Sequence, residues 1–281
     1  MKLPQLRAIW ATEEIKGRKD EMIKSARIAL TVMLLGTTGW ITTGCETAPI
    51  TGRSQFIMFS DAQATQMGVD AYQQILSKAK LSTNQDYVRR VRTIGRRIAD
   101  VSGQPDLKWE FNVIEDKTPN AFALPGGKVA VHTGLFTVAK DDNQLAAVMA
   151  HEVGHAIARH GSERMSTQMA VQLGVVGLGV AAGQENAQMV NLAASLAGLG
   201  IILPHTRNQE AEADHIGLIL MARAGYDPRA AVPLWENFKK AGGERPPEFL
   251  STHPAPDSRI KRIRELLPQA MEIYRKSKPA S

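Results

Sequence analysis

The 281-residue sequence predicts an α+β domain, predominantly helical with one small β-sheet, on three observations. Apolar residues recur at helical spacing through residues 60–102. They alternate at strand spacing through about 108–132, then return to helical spacing from about 142 onward. With 43% hydrophobic and 22% charged residues, the composition is that of an ordinary globular protein with material for a core.

In chain order, the first element is a leader. Residues 1–45 carry seven Lys/Arg against four Asp/Glu, leaving 27 against 24 in the rest, so about half of the formal +6 charge lies there. No Lys/Arg block with interleaved aromatics occurs, which argues against nucleic-acid binding. Lys24 and Arg27 precede the apolar run IALTVMLLGTTGWITTGC, an export signal in form, with Met22 as an alternative start. The run ends at Cys45, the single cysteine, after Thr43-Gly44. It resembles a bacterial lipoprotein lipobox, departing from it at Thr42, where Leu is usual. The expectation is a lipid anchor at Cys45 on a chain facing the periplasm, with the outer membrane favoured over the inner. An uncleaved span over residues 28–45 is the alternative, since roughly 18–20 apolar residues cross a bilayer. A lone cysteine forms no intramolecular disulfide.

Residues 46–60, ETAPITGRSQFIMFS, read as a linker, and residues 61–281 as the folded domain. Ser60-Asp61 caps a helix whose stripe runs through Met67, Val69, Ala71 and Ile75. A second helix spans about 84–102 on Tyr87, Val88, Val91, Ile94 and Ile98, with Arg89, Arg90, Arg92, Arg96 and Arg97 as its solvated face. Strand alternation at Trp109, Phe111 and Val113 precedes NAFALPGGKVAVHTGL, two short strands about a Gly126-Gly127 turn.

The next helix carries HEVGH at residues 151–155. Positions i and i+4 of a helix differ by about 40°, so His151 and His155 project side by side and can share one ion. Glu152 lies about 100° from His151, placed to act on a water at a metal without being a ligand. Zinc lowers the pKa of such a water to about 7, and a carboxylate then takes its proton as it attacks a carbonyl. The pattern alone arises by chance in about one chain of this length in a hundred. Its setting adds weight: Asp141-Asp142 as cap, and Leu145, Val148, Met149, Val153 and Ile157 as an apolar face. Gly154 and the alanines at 146, 147, 150, 156 and 158 leave room for close packing.

A third ligand has to come from elsewhere. His160 misses the His-x-x-Gly-x-x-His spacing by one residue. The later segment HTRNQEAEADHIGLILMARAG offers Glu210, Glu212 and Asp214; Glu210 and Asp214 are four apart and share a face. Glu210 can complete a His₂Glu set while Asp214 accepts the outer N–H of a ligand histidine. Glu212 points away and reads as a solvated charge.

The HEVGH helix, the E-A-E-A-D run, Arg207 three residues before Glu210, and THPAPDSRI near the end together resemble the HtpX/Oma-type gluzincins, zinc metallopeptidases related to the CAAX prenyl proteases. The resemblance runs from Thr51-Gly52-Arg53 to Ile263. It implies one zinc per chain on His151, His155 and Glu210, Glu152 as general base, and Asp214 behind the ligands. It also implies that His253 approaches the metal to gate it or stabilise an oxyanion, where a turn into a helix is the plain alternative. For Arg207 it implies a structural or site-lining salt bridge, against a plain surface cation. An edge strand over Lys128, Val129, Ala130, Val131 and His132 would flank the zinc and receive an extended, unfolded substrate through backbone hydrogen bonds. His132, His160, His205 and His215 match no ligand position and read as structural or surface residues.

Residues 169–203 carry a single charge, Glu185, and split into apolar halves too short to span a membrane. A helical hairpin over the active site is the favoured reading, with a partner surface or partial insertion as alternatives. Asp227-Pro228 caps a helix reaching about Lys240, and Arg259, Lys261, Arg262 and Arg264 form the solvated face of a terminal helix. The function expected is a membrane-tethered zinc endopeptidase acting on unfolded or misfolded envelope proteins. A metal-binding chaperone or assembly factor is the alternative.

Overall fold

The computed structural model describes residues 45–181, 205–241, 248–253 and 256–277. The leader as far as residue 44, and the part of the predicted apolar hairpin from 182 to 203, lie outside the described residues. No helix among the described residues is long and apolar enough to cross a membrane.

The α+β class holds. Helix α1 (Asp61–Lys78) starts at Ser60, whose side chain accepts from the Gln63 N–H while Gln63 reaches back to the Ser60 N–H. Helix α2 (Gln85–Asp100) is capped by Asn84 and buries Val91, Ile94 and Ile98, with its arginines outside the core. Strands β3 (Glu110–Ile114), β4 (Ala121–Leu124) and β5 (Lys128–His132) form the sheet. Pro125, Gly126 and Gly127 join β4 to β5, with Gly126 and Gly127 at φ of 85° and 76°, the left-handed region that glycine adopts without strain.

Strand order corrects one expectation. β5 lies between β3, to which it is parallel, and β4, to which it is antiparallel. Lys128, Val129, Ala130, Val131 and His132 are therefore a buried central strand with both backbone edges paired, not an edge. The edge beside the long central helix is β4.

That helix, α3 (Asp142–Ile157), is capped by Asp141 and buried on nearly every side, against α2, β4 and α5 (Arg207–Arg223). Its contact with α5 is close enough to need glycines. A Cβ on Gly217 would stand 3.1 Å from the His151 backbone nitrogen, and one on Gly154 would stand 2.9 Å from the Ala213 carbonyl oxygen. Gly217→Val is expected to lower stability by about 1–3 kcal/mol through overpacking, read from the urea unfolding midpoint. A midpoint equal to wild type would show that the two backbones have room to separate.

Arg159, in the left-handed conformation at φ 57°, turns the chain between α3 and α4 (His160–Ala181). Pro228 opens a 3-10 turn leading into α6 (Ala231–Ala241); α7 (Glu248–Thr252) and α8 (Pro256–Ser277) follow. The core joins Val129 and Val131 of the sheet to Leu145, Met149, Ile216, Leu220, Leu234 and Phe238.

Residues 46–60 are not a free linker. Strands β1 (Cys45–Thr47) and β2 (Ser54–Phe56) pair across a tight turn closed by Ala48 N–H to Arg53 O at 2.8 Å. The arm then packs on the body. Gln55 is buried and donates to Ala158 O at 2.5 Å, and the Met58 N–H donates to Ser166 Oγ at 2.8 Å.

Candidate metal centre

Helical spacing brings His151 and His155 together on α3, with their Nε2 atoms 3.0 Å apart. Helix α5 crosses them on the glycine contact. Thr206 caps it in a reciprocal box with Gln209, which places Glu210 in its first turn. Glu210 Oε1 is 3.3 Å from His155 Nε2, and Oε2 is 3.6 Å from His151 Nε2. A fourth donor arrives at the end of α7, where the His253 N–H closes on Phe249 O and the ring sets Nδ1 3.0 Å from Glu210 Oε1 and 3.2 Å from His151 Nε2. All four residues are buried and offer atoms within 4.8 Å of one another.

The donor set fits zinc. Tetrahedral ligands at about 2.1 Å from a common ion stand roughly 3.4 Å apart, close to the separations found. Burial pushes the imidazoles of His155 and His253 below the ordinary value, leaving them neutral with lone pairs to give. Burial alone would raise Glu210, but Arg259 and His253 outweigh it and hold the carboxyl well below the usual range, ionised. Glu152 is buried beside them, with Oε1 3.4 Å from His253 Nε2 and without a hydrogen-bond partner among the described residues. Burial raises its carboxyl to about 8, with His151 opposing the rise and Glu210 adding to it; a divalent cation nearby acts in the direction of His151.

Behind the donors stands a layer of fixed partners. Asp214 Oδ1 is 3.0 Å from His151 Nδ1. Arg259 spans both α5 carboxylates, with Nη1 2.5 Å from Glu210 Oε2, Nη2 2.7 Å from Asp214 Oδ1 and Nε 2.9 Å from Asp214 Oδ2. Its guanidinium lies 3.5 Å above the Trp235 ring. By occupying Glu210 Oε2 it leaves Oε1 facing His155 and His253. A cleft of ≈ 370 Å³ opens beside His155, lined among others by Arg164, His205, Ala123 and Pro125.

Thus His151, Glu152, His155, Glu210, Asp214 and His253 come together, while Arg207 only lines a neighbouring cavity with Glu210, Asp214 and Arg259. Arg207 is exposed and has no ion-pair partner among the described residues; Arg259 fills the salt-bridge role expected of it. Reading Arg259 as part of a solvated face is overturned, since it is 4% exposed. A signal was present: Arg259 shares helical spacing with Ile263, Leu266 and Ala270, the stripe that α8 packs inward.

Glu212 is also no solvated charge. It is buried, accepting from His160 Nε2 at 3.0 Å, from Arg53 Nε at 2.7 Å and from the Thr51 hydroxyl. These bonds outweigh burial and bring its carboxyl down to about 2. His160, fully buried, sets Nδ1 2.8 Å from His155 Nδ1, and the His205 ring lies 3.7 Å from that of His155. Of the histidines without a ligand position, these two adjoin the centre.

Comparison with known proteins agrees with this geometry. The sequence pattern of Peptidase family M48 matches residues 86–267. The mitochondrial metalloendopeptidase OMA1 of Schizosaccharomyces pombe is 41% identical over 233 residues, covering 81% of this chain and 68% of that protein. The protein of that name from Saccharomyces cerevisiae is 32% identical over 274 residues, 90% of this chain and 78% of its own length. The β-barrel assembly-enhancing protease of Escherichia coli is 34% identical over 226 residues, 76% of this chain and 46% of that longer protein. A buried pair of histidines on HEVGH, an ionised glutamate brought to them from a second helix, and these matches lead to one conclusion: the chain belongs to Peptidase family M48 and is a zinc metalloendopeptidase.

Proposed function

We propose that this protein cuts unfolded or misassembled envelope proteins while tethered through Cys45, with zinc on His151, His155 and Glu210. The observation that carries the ligand assignment is the convergence of His151 Nε2, His155 Nε2 and Glu210 Oε1 beside the buried Glu152. Zinc, when bound, supplies a Lewis acid that makes water a nucleophile near neutral pH and polarises a carbonyl. The chain's own residues do the rest. Asp214 accepts the outer N–H of His151, which keeps its Nε2 lone pair turned toward the other donors. Glu152 takes the proton of the attacking water and returns it to the leaving amine. His253 stands among the donors, with Nδ1 3.0 Å from Glu210 Oε1 and Nε2 3.4 Å from Glu152 Oε1, placed to gate the metal or to stabilise an oxyanion.

For an extended substrate, β4 replaces β5 as the receiving edge. It lies on the rim of the sheet next to α3, and its Ala123 lines the cleft beside His155. Backbone pairing there is indifferent to side-chain sequence and suits unfolded chains. The envelope reading rests on the export signal, the lipobox and the name of the Escherichia coli relative. The relatives called mitochondrial share the catalytic half of the argument only.

Purified protein incubated with casein or an unfolded outer-membrane protein should cleave it, stop when a chelator strips the metal, and resume on addition of zinc. Cleavage unaffected by chelation would end the metallopeptidase assignment of the site. Glu210→Ala should bind zinc far more weakly, and full retention of zinc would remove Glu210 from the ligand set. Envelope fractionation with a Cys45→Ser control tests the tether: a chain that stays with the membrane without Cys45 is not held by a lipid there.

A further inference from the structure

His155 has an outer nitrogen, as His151 does, but among the described residues no carboxylate touches it. Instead Nδ1 faces His160 Nδ1 at 2.8 Å, and the other nitrogen of His160 faces Glu212 Oε2 at 3.0 Å. The positions of the protons along this row follow from the chemistry of each group. An ionised carboxylate only accepts, so His160 Nε2 carries a hydrogen. A neutral imidazole bears one N–H, so His160 Nδ1 is bare and accepts. The hydrogen between the two Nδ1 atoms then belongs to His155. Its Nε2 is left with a lone pair, and Nε2 is the atom that faces His151 Nε2 and Glu210 Oε1.

The row ends in the N-terminal arm. Arg53 donates through Nε to Glu212 Oε2 at 2.7 Å and grips Glu163 on α4 with both terminal nitrogens at 2.7 Å, while Thr51 donates to the second oxygen of Glu212. Both Glu212 oxygens are thereby held, and the carboxylate cannot rotate away from His160.

We propose that Thr51 and Arg53 of the arm, acting through Glu212 and His160, are positioning residues that fix the tautomer and orientation of His155 and so set how tightly the centre holds zinc. The proposal rests on the reading of His155 as a zinc ligand. It makes residues 51–53, nearly a hundred positions before HEVGH, part of the support of the metal.

The test measures the zinc dissociation constant by competition with a chromophoric chelator, with the unfolding midpoint of the metal-free protein recorded beside it. His160→Phe keeps a ring but no hydrogen bonds, and is expected to weaken zinc binding about 10–100-fold. His160→Gln, whose amide can accept from His155 and donate to Glu212, should recover most of that loss. Arg53→Ala should weaken zinc binding in the same direction without requiring a lower metal-free midpoint. Because Arg53 acts through His160, the double variant Arg53→Ala/His160→Phe should bind zinc within about twofold of His160→Phe alone.

Wild-type affinity in His160→Phe overturns the proposal, as do losses that multiply in the double variant. If His160→Phe does not fold, Arg53→Ala and His160→Gln decide it: an unchanged zinc affinity in Arg53→Ala, with only its midpoint lowered, makes the arm a mere structural clamp. Full affinity in His155→Ala would overturn the ligand reading and this proposal together, whereas a zinc-deficient His155→Ala beside an unaffected His160→Phe overturns the relay alone.

Discussion

Glu152→Gln is expected to keep its zinc and to lower the turnover of an unfolded substrate by about 10²–10⁴-fold, the usual contribution of a positioned general base. The amide has the shape of the carboxyl and can fill the same buried slot, where Glu152 Oε1 lacks a hydrogen-bond partner among the described residues. What it loses is the ability to take a proton. The loss should fall on kcat with KM little changed, because Glu152 acts on the water and not on the binding of the peptide. Zinc content equal to wild type is the necessary control. A variant that loses zinc as well would make Glu152 a ligand, and one that cleaves at the wild-type rate would remove it from the mechanism. The same variant should capture substrates uncleaved.

Arg259→Met is expected to be the most destabilising change behind the metal site. In the metal-free protein Arg259 is the cation between Glu210 and Asp214, all three being buried. Methionine leaves two carboxylates facing each other without it, and breaking a buried ion pair from one side costs about 3–5 kcal/mol. Zinc supplies charge to the same pair, so loading the variant should restore much of the loss. The unfolding midpoint should therefore depend more steeply on added zinc in the variant than in wild type. Arg259→Lys is no substitute, because one ammonium cannot span both carboxylates while lying flat on Trp235. Equal midpoints for Arg259→Met and wild type, both without metal, would show that Arg259 contributes nothing to holding the two α5 carboxylates.

What was legible in the sequence depended on how local the determining physics was. The pairing of His151 with His155, and of Glu210 with Asp214, follows from one turn of one helix, and those residues meet as spacing required. The Gly126-Gly127 turn is equally local. Strand order is not: periodicity marks β5 as a strand but contains nothing that says β3 will pair along its other side. Glu212 was misread for a related reason. Helix α5 is enclosed on more than one face, so a residue turned away from Glu210 is still buried, and two of its three partners come from an arm some 160 positions earlier. Arg259 shows a third limit, since a cation inside an apolar stripe becomes intelligible only when the carboxylates awaiting it are known.

Order of appearance has its own consequence. A chain delivered N-terminus first presents His151 and His155 while His253 lies 102 residues and Arg259 108 residues behind His151. Until α5 docks, two histidines on a lone helix have no charged co-ligand; until α8 follows, the Glu210 and Asp214 carboxylates lack their shared cation. The cutting centre is accordingly completed last. An enzyme proposed to attack unfolded chains begins as one, and an active site stitched from three far-apart stretches keeps newly made copies harmless to each other until the last of them is in place.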